Sequence, residues 1–406
     1  MTHLTITPLR GANQIGGSII EIASATTRLI LDAGAELEEP SPATPPPIPD
    51  LFDRPGYDAV FVSHYHADHV GLAGRVHPGI PVYIGEKSLA VLRAEARYTG
   101  KPAPDCRTFQ SGEAVHVGGI TVTPILCDHS AFDAHAILLE CGGETVLYTG
   151  DFRANGRKNF GAMLRRLPAK VDALICEGTA LSHPGNEPHE PEEDLQARIE
   201  ALLRERKGPA FVLCPGTNID RIVTVYKAAH NTGRILLQDL YMAEITSTLG
   251  QWNEIPNPRK FPDVSVFITR GGDRLYEMLC GYGDKKIGKA AIAKLPGFVM
   301  CVRSAMGNYL QKLSEQVSFA GGTLIYSMWE GYRKQPAMAD FLARCAALGL
   351  EIVTLHTSGH ADKATIEKLI ARTHPEKIVP VHTENPGWFA GHSAVGPCPA
   401  EEKNMK

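Results

Sequence analysis

Seven consecutive residues, SHYHADH at Ser63–His69, carry three imidazoles and one carboxylate. His64 and His66 stand two apart, and Asp68 and His69 follow directly. On an irregular loop leaving a strand, that spacing brings the side-chain tips around a pair of cations roughly 4 Å apart. Imidazole and carboxylate are borderline-to-hard donors, suited to zinc or manganese. A hydrogen-bonded polar loop is the plainer reading of the same residues, so the choice rests on whether further ligands arrive from elsewhere in the chain.

They do, and in matching places. Asp32 ends the apolar run TRLILDAG, His129 follows VTPILC, Asp151 ends TVLYTGD, and His382 ends IVPVH. Each polar residue sits just past the C-terminal end of a β-run, the edge where α/β folds gather functional groups. Any one of them alone reads as an ordinary satisfied histidine or an aspartate turn. Together with the HYHADH loop they read as a dinuclear metal site.

The elements that must position these residues are legible as alternating patterns. LTITPL, GGSIIEIAS, TRLILDAG and AVFVSH are short, β-branched runs punctuated by Gly or Asp. AVHVGGITVTPILC and AHAILLECGGETVLYTGDF each place a Gly-Gly pair between apolar runs, a hairpin signal. After Gly178 the pattern changes. PEEDLQARIEALLRER sets Leu195, Ile199, Leu202 and Leu203 on one helical face, behind an acidic first turn. Strand-like and helix-like segments then take turns, which predicts a parallel α/β sheet. Helices are expected at Met338–Leu348 and Asp362–Arg372, and Pro40–Pro49 as a stiff surface loop.

The remaining composition narrows the class. A chain of 406 residues with net charge −4 is no polycation, so any nucleic-acid contact must be local. Nine scattered cysteines without a C-x-x-C pair read as buried thiols of a reducing compartment. No targeting or membrane segment stands out, and the expectation is a soluble cytoplasmic protein without a membrane partner.

Asp32, HYHADH, His129 and Asp151, in that order, resemble the metallo-β-lactamase fold family. CEGT with Glu177, HTSGHAD with His360 and PVHTE with His382 resemble the three extra motifs of its β-CASP branch, most of all the ribonuclease J and cleavage-factor nucleases. The resemblance implies an α/β fold. It is a four-layer αββα metallo-β-lactamase domain (1–181 and 353–392) with an inserted β-CASP α/β domain (182–352) and a C-terminal tail (393–406). Substrate is expected in the cleft between the two domains.

By the same resemblance, His64, His66 and His129 hold one metal ion, and Asp68, His69 and His382 the other. Asp151 bridges them and Asp32 supports the loop. The ions, zinc or manganese, share a hydroxide that attacks phosphorus. His360 protonates the leaving oxygen, with Glu177 fixing its ring. A histidine at 382 is similar to the RNA-processing members, whereas DNA-directed members tend to carry an apolar residue there. The implied function is a metal-dependent phosphodiesterase that cleaves single-stranded RNA internally, from the 5′ end, or both. A lactonase or thioesterase on the same fold, and a DNA-directed nuclease, are the rival readings. A homodimer is admissible.

Two loops carry phosphate-binding cues of their own. Thr357, Ser358 and Gly359 precede a helix start near Ala361–Asp362, and Ser304 and Gly307 lie between a strand and a helix. The lysines of GDKKIGKAAIAK read first as a solvated face. Two departures from the ribonuclease J pattern stand out. Only 24 residues follow His382, so the small C-terminal domain of those proteins is expected to be absent. The last motif reads HTE, with Thr383 where glycine is common.

Overall fold

A computed structural model describes residues 3–37, 43–182, 188–269 and 271–392. Residues 40–42 of the proline-rich run and the tail expected at 393–406 lie outside the described residues. The chain forms two compact units, one of Met1–Leu92, Pro102–His189 and Gly359–Lys406, the other of Arg93–Lys101 and Glu190–Ser358. The crossings fall at 189/190 and 358/359, against 181/182 and 352/353 in the sequence expectation.

The first unit holds two six-stranded sheets. One follows chain order: β1 (Thr5–Arg10), β2 (Ile19–Ala23), β3 (Arg28–Leu31), β4 (Ala59–Phe61), β5 (Val82–Gly85) and β6 (Arg107–Phe109). Its first two pairings are antiparallel and the rest parallel. The other contains β7 (Val115–Val117), β8 (Ile120–Leu126), β9 (His135–Cys141), β10 (Glu144–Tyr148) and β11 (Ala173–Glu177), closed by the strand Lys377–Val381 beside β11. The chain thus returns from the second unit to complete a sheet begun before it.

Period-two alternation explains why the sheets face each other. Ile20 and Ile22, Leu29 and Leu31, and Ala59 and Phe61 from one sheet join Val122, Ile137, Leu139, Val146 and Ile175 from the other in a single apolar cluster. Burying such a side chain contributes roughly 1.5–3 kcal/mol. A one-residue slip would turn a whole strand's set outward, so the register is tightly held. Ile30, Val60, Leu147 and Leu174, which point the other way, are equally buried. Both faces of each sheet are therefore covered, with the helices Glu86–Thr99, Phe160–Arg166 and Lys363–Thr373 supplying outer layers. This is the αββα arrangement.

The second unit is a wholly parallel seven-stranded sheet: β12 (Ala210–Leu213), β13 (Ile235–Gln238), β14 (Val264–Phe267), β15 (Lys286–Ile287), β16 (Phe298–Val302), β17 (Thr323–Tyr326) and β18 (Glu351–Thr354). The strand order is β15-β14-β13-β16-β12-β17-β18, with every pairing parallel. The helix read as Met338–Leu348 runs from Pro336 to Ala347 instead. Proline at the first helical position needs no intrahelical donor and has its φ preset, so the helix starts there. The helix read as Asp362–Arg372 runs from Lys363 to Thr373, because the Asp362 side chain accepts from the Thr365 N–H and caps it.

Candidate metal centre

One edge of the first unit collects the polar residues. Asp32 follows β3, Ser63–His69 follows β4, His129 follows β8, Asp151 follows β10, β11 ends on Glu177, and His382 follows Lys377–Val381. The pairings β3–β4, β10–β11 and β11–(Lys377–Val381) are parallel, so their C-terminal ends share an edge. Both β10 and β8 run antiparallel to β9, which brings the end of β8 to that edge too.

The HYHADH loop is held there by backbone pairing. The N–H groups of Ser18, Ala33 and Ala35 donate to the carbonyls of Asp68, His69 and Ala67. This approach is so close that a Cβ on Gly34 would stand 1.8 Å from the Asp68 carbonyl oxygen, which explains the glycine in LDAGA. Asp68 and His69 then ride on the single turn Ala67–Val70.

The side chains form two adjoining groups. In the first, Nδ1 of His66 lies 3.1 Å from Nε2 of His64 and 3.1 Å from Nε2 of His129. In the second, Asp68, His69, Asp151 and His382 converge: His382 Nε2 is 3.1 Å from Asp68 Oδ2, and His69 Nε2 is 3.2 Å from Asp151 Oδ2. Asp151 Oδ2 is also 3.9 Å from Nε2 of both His64 and His129, so this carboxylate lies between the groups. A third set overlaps the second: His360 Nδ1 is 3.2 Å from Glu177 Oε2 and 3.6 Å from Asp151 Oδ2.

Outer contacts aim these atoms inward. His69 Nδ1 stands 2.7 Å from Asp32 Oδ2, and His129 Nδ1 donates to the Gly359 carbonyl at 2.6 Å. His382 Nδ1 lies 2.8 Å from Thr179 Oγ1. Each ring therefore uses its outer nitrogen as a fixed hinge and turns the other toward the cluster, an arrangement common to metal-ligating histidines.

The charges are strongly coupled. Burial, then the neighbouring His69, His129 and His66, holds His64 well below its ordinary pKa. Burial and His66 act likewise on His129, and burial lowers His66 to about 4. These rings stand neutral, ready to ligate. For His69, burial opposes protonation but the Asp151, Asp32 and Asp68 carboxylates outweigh it and raise the pKa. For His360, burial is likewise outweighed, by Glu177 and then Asp151, which raise it to about 9. Asp151 is held below the usual carboxylate range: burial opposes this, but His382 and His69 prevail.

A metal fits this donor set. His69 Nε2 and Asp151 Oδ1 are buried without a hydrogen-bond partner, a costly state that coordination would relieve. His64, His66 and His129 present three ligand atoms within 4.8 Å of one another, and Asp68, His69, Asp151 and His382 present four. The seven expected metal ligands are thus all brought together.

The expected anion-binding residues behave differently. The Thr357 hydroxyl donates to the Glu190 carbonyl at 2.5 Å, and its own carbonyl accepts from Arg221, so its polar atoms already serve internal bonds. The Gly359 carbonyl accepts from His129 in the same way. Ser358 and Ser304 are partly exposed, and β12 and β17 lie between the strands β16 and β18 that lead to Ser304 and Thr357. The Thr383 hydroxyl donates to the Gly178 carbonyl at 2.9 Å and so ties the HTE motif to the CEGT loop.

Several supporting residues escape a sequence reading. The Tyr148 hydroxyl donates to Asp32 at 2.5 Å and Ser63 donates to it twice. Arg153 and Asp128, both fully buried, pair at 3.6 Å between the Asp151 and His129 turns. The His189 N–H donates to Asp362, and its ring meets the His360 carbonyl. The inward register of Tyr148, two residues after Val146, was the available signal: a buried phenol needs a partner.

Two family models match. Residues 27–207 match a β-lactamase superfamily domain, and residues 347–386 match a Zn-dependent metallo-hydrolase RNA specificity domain. Curated relatives extend the likeness along the chain. Ribonuclease J of Sinorhizobium meliloti is 23% identical over 97% of this chain and 71% of its own length. Ribonuclease J of Mycobacterium tuberculosis is 25% identical over 93% and 68%, and that of Thermus thermophilus 24% identical over 94% and 68%. The chain thus joins a β-lactamase superfamily domain to a Zn-dependent metallo-hydrolase RNA specificity domain, and it is similar to ribonuclease J over most of its length. A solved structure of a protein of unknown function from Enterococcus faecalis V583 shares this fold, with a TM-score of 0.78, 22% identity, and 95% of each chain covered. Family and donor set together make this a metal-dependent hydrolase. Among the described residues no helix is long and apolar enough to cross a membrane.

Proposed function

We propose that this chain is a cytoplasmic phosphodiesterase that cuts single-stranded RNA with two divalent metal ions, zinc or manganese. One observation carries the reading: a three-histidine group adjoins a four-ligand group whose Asp151 carboxylate stands 3.9 Å from His64 and His129, with His360 beside it. His64, His66 and His129 hold one ion, and Asp68, His69 and His382 the other, with Asp151 serving both. The ions supply Lewis acidity toward water and toward a phosphodiester oxygen.

The chain's own residues do the rest. Asp32 and Thr179 fix the outer nitrogens of His69 and His382. Glu177 takes the Nδ1–H of His360, which leaves Nε2–H to give a proton to the departing oxygen. Ser304 and Ser358, each partly exposed, are the residues of the second unit proposed to meet phosphates. His64, His69 and His129 are fully buried, so a slender single strand suits the site better than a stacked duplex. The match to an RNA specificity domain and the histidine at 382 favour RNA over DNA.

The test uses one single-stranded RNA, labelled at its 5′ or 3′ end in separate samples, and its DNA equivalent. The protein and His64→Ala are incubated with zinc or manganese and the products sized. Cleavage of RNA that disappears in the variant is expected, and the ladder separates internal from 5′-end cutting. Preferred DNA cleavage would reassign the substrate. Intact nucleic acid alongside turnover of ester or lactone substrates would overturn the reading in favour of a small-molecule hydrolase.

A further inference from the structure

Beside the metal centre lies a half-exposed aromatic ring with two lysine ammoniums over it. Phe132 is three residues past His129 on the loop leading into β9. Its ring centroid lies 5.6 Å from the Lys87 ammonium and 5.7 Å from that of Lys158. It is not among the residues of the apolar cluster between the two sheets.

All three groups are pinned to the ligand-bearing loops. The Phe132 N–H donates to the Tyr65 hydroxyl at 2.9 Å, and the Tyr65 ring stands edge-on to His66 at 5.5 Å. Lys158 donates to the carbonyls of His129 at 3.0 Å and Ala131 at 3.4 Å and stands 4.0 Å from the buried Asp128 carboxylate, so it braces the loop behind Phe132. The Lys87 N–H donates to Asp133, one residue beyond Phe132. Among the described residues no carboxylate forms an ion pair with the Lys87 ammonium. None of the three groups has a part in the chemistry assigned above.

An aromatic face flanked by cations is what a single-stranded nucleic acid recognises: a base stacks on the ring while the adjoining phosphates meet the ammoniums. A chain of net charge −4 offers no general attraction for a polyanion, so local cations must do this work. We propose that Phe132 and Lys87 form a landing site for single-stranded RNA next to the metal centre, with one base against Phe132, a flanking phosphate on Lys87, and Lys158 holding the ring's loop in place. The proposal rests on the ribonuclease reading and adds to it the path of the strand.

The full chain, loaded with zinc or manganese, is compared with Phe132→Leu, Phe132→Tyr and Lys87→Ala on a labelled single-stranded RNA. Lys158 is left intact because it also braces the His129 loop. Metal content is measured in every variant. Phe132→Leu is expected to raise KM about tenfold, an effect larger than that on kcat, with Phe132→Tyr restoring it. Lys87→Ala is expected to weaken binding and to flatten the dependence of log affinity on log salt by about 0.7. If the parent cuts RNA while Phe132→Leu keeps its KM and Lys87→Ala keeps its salt slope, the landing site is wrong and the ribonuclease reading stands. Loss of metal from Phe132→Leu would make the ring a structural support and overturn the proposal. A parent that neither cuts nor binds RNA removes both.

Discussion

The Asp32 carboxylate and the His69 ring meet at 2.7 Å, both fully buried, and that contact decides which His69 nitrogen faces the cluster. Asp32 Oδ2 receives His69 Nδ1, the Ser63 hydroxyl and the Tyr148 hydroxyl, while Oδ1 receives the Ser63 N–H. Every partner is a donor. An amide nitrogen in place of Oδ2 would confront three of them, so Asp32→Asn is expected to lower metal affinity about 10–100-fold. The fold should survive, because asparagine tolerates the left-handed φ of 60° at this position. Competition against a chromogenic chelator measures the effect. Unchanged affinity would mean that Asp32 does not orient His69.

His360 stands in the overlap between ligand and proton donor, within reach of both Glu177 and Asp151. If it acts on the leaving oxygen, His360→Ala keeps its metal near the parent level and loses about 10²–10⁴-fold in RNA cleavage. Asp68→Asn, by contrast, should empty at least one metal position. Elemental analysis beside a cleavage assay separates the two. Metal loss in His360→Ala would show a ligand or a structural support rather than an acid.

Local pattern reveals some of these features and hides others. The clustered histidines and aspartates were legible because those residue types recurring directly after β-runs serve no packing need there, and the inserted parallel sheet because strand and helix patterns alternate. Strand β5, strand β6 and the helix Glu86–Thr99 between them escaped, since VYIG and RTF are too short to show a period. Thr357 misled for a related reason: a threonine before a helix fits a phosphate loop or an internal bond equally, and only the fold brings the Glu190 carbonyl to its hydroxyl. Thr179 and His189 carried no local signature, and the inward register of Tyr148 signalled a partner without saying which. Their roles exist only through partners distant in sequence.

Stripped of metal, the protein should respond to acid through its neutral histidines. His66 is lowered to about 4 in the folded chain, against an ordinary value of 6.5. Between those values the unfolded chain binds the proton that the folded chain refuses. Stability contributed by the neutral ring is thus complete above about 6.5 and is lost as pH falls toward 4, with a slope of up to about 1.4 kcal/mol per pH unit. His69 and His360 are shifted upward, so their contributions run the other way and are lost as pH rises, but they are common to parent and variant. The metal-free parent should therefore lose stability more steeply than metal-free His66→Gln from pH 6.5 to 4. Urea unfolding at stepped pH measures this, and equal slopes would contradict a neutral, desolvated ring.

Gly359 offers a direct choice between an anion cradle and a packing constraint. As a cradle residue it would need only its N–H, which alanine keeps. In the structure a Cβ at 359 meets Ser130 Oγ at 3.1 Å and Ser130 Cβ at 3.4 Å, while the Gly359 carbonyl fixes His129 Nδ1. Gly359→Ala should therefore push on the His129 loop and weaken the three-histidine metal position, whether or not RNA is present. Adding Ser130→Ala removes the nearest atom and leaves the 3.4 Å contact, which is ordinary van der Waals packing. The double variant should recover much of the lost metal affinity. A single variant with full metal affinity but raised KM for RNA would instead assign Gly359 to phosphate binding, and the absence of rescue would place the strain elsewhere in the HTSGH turn.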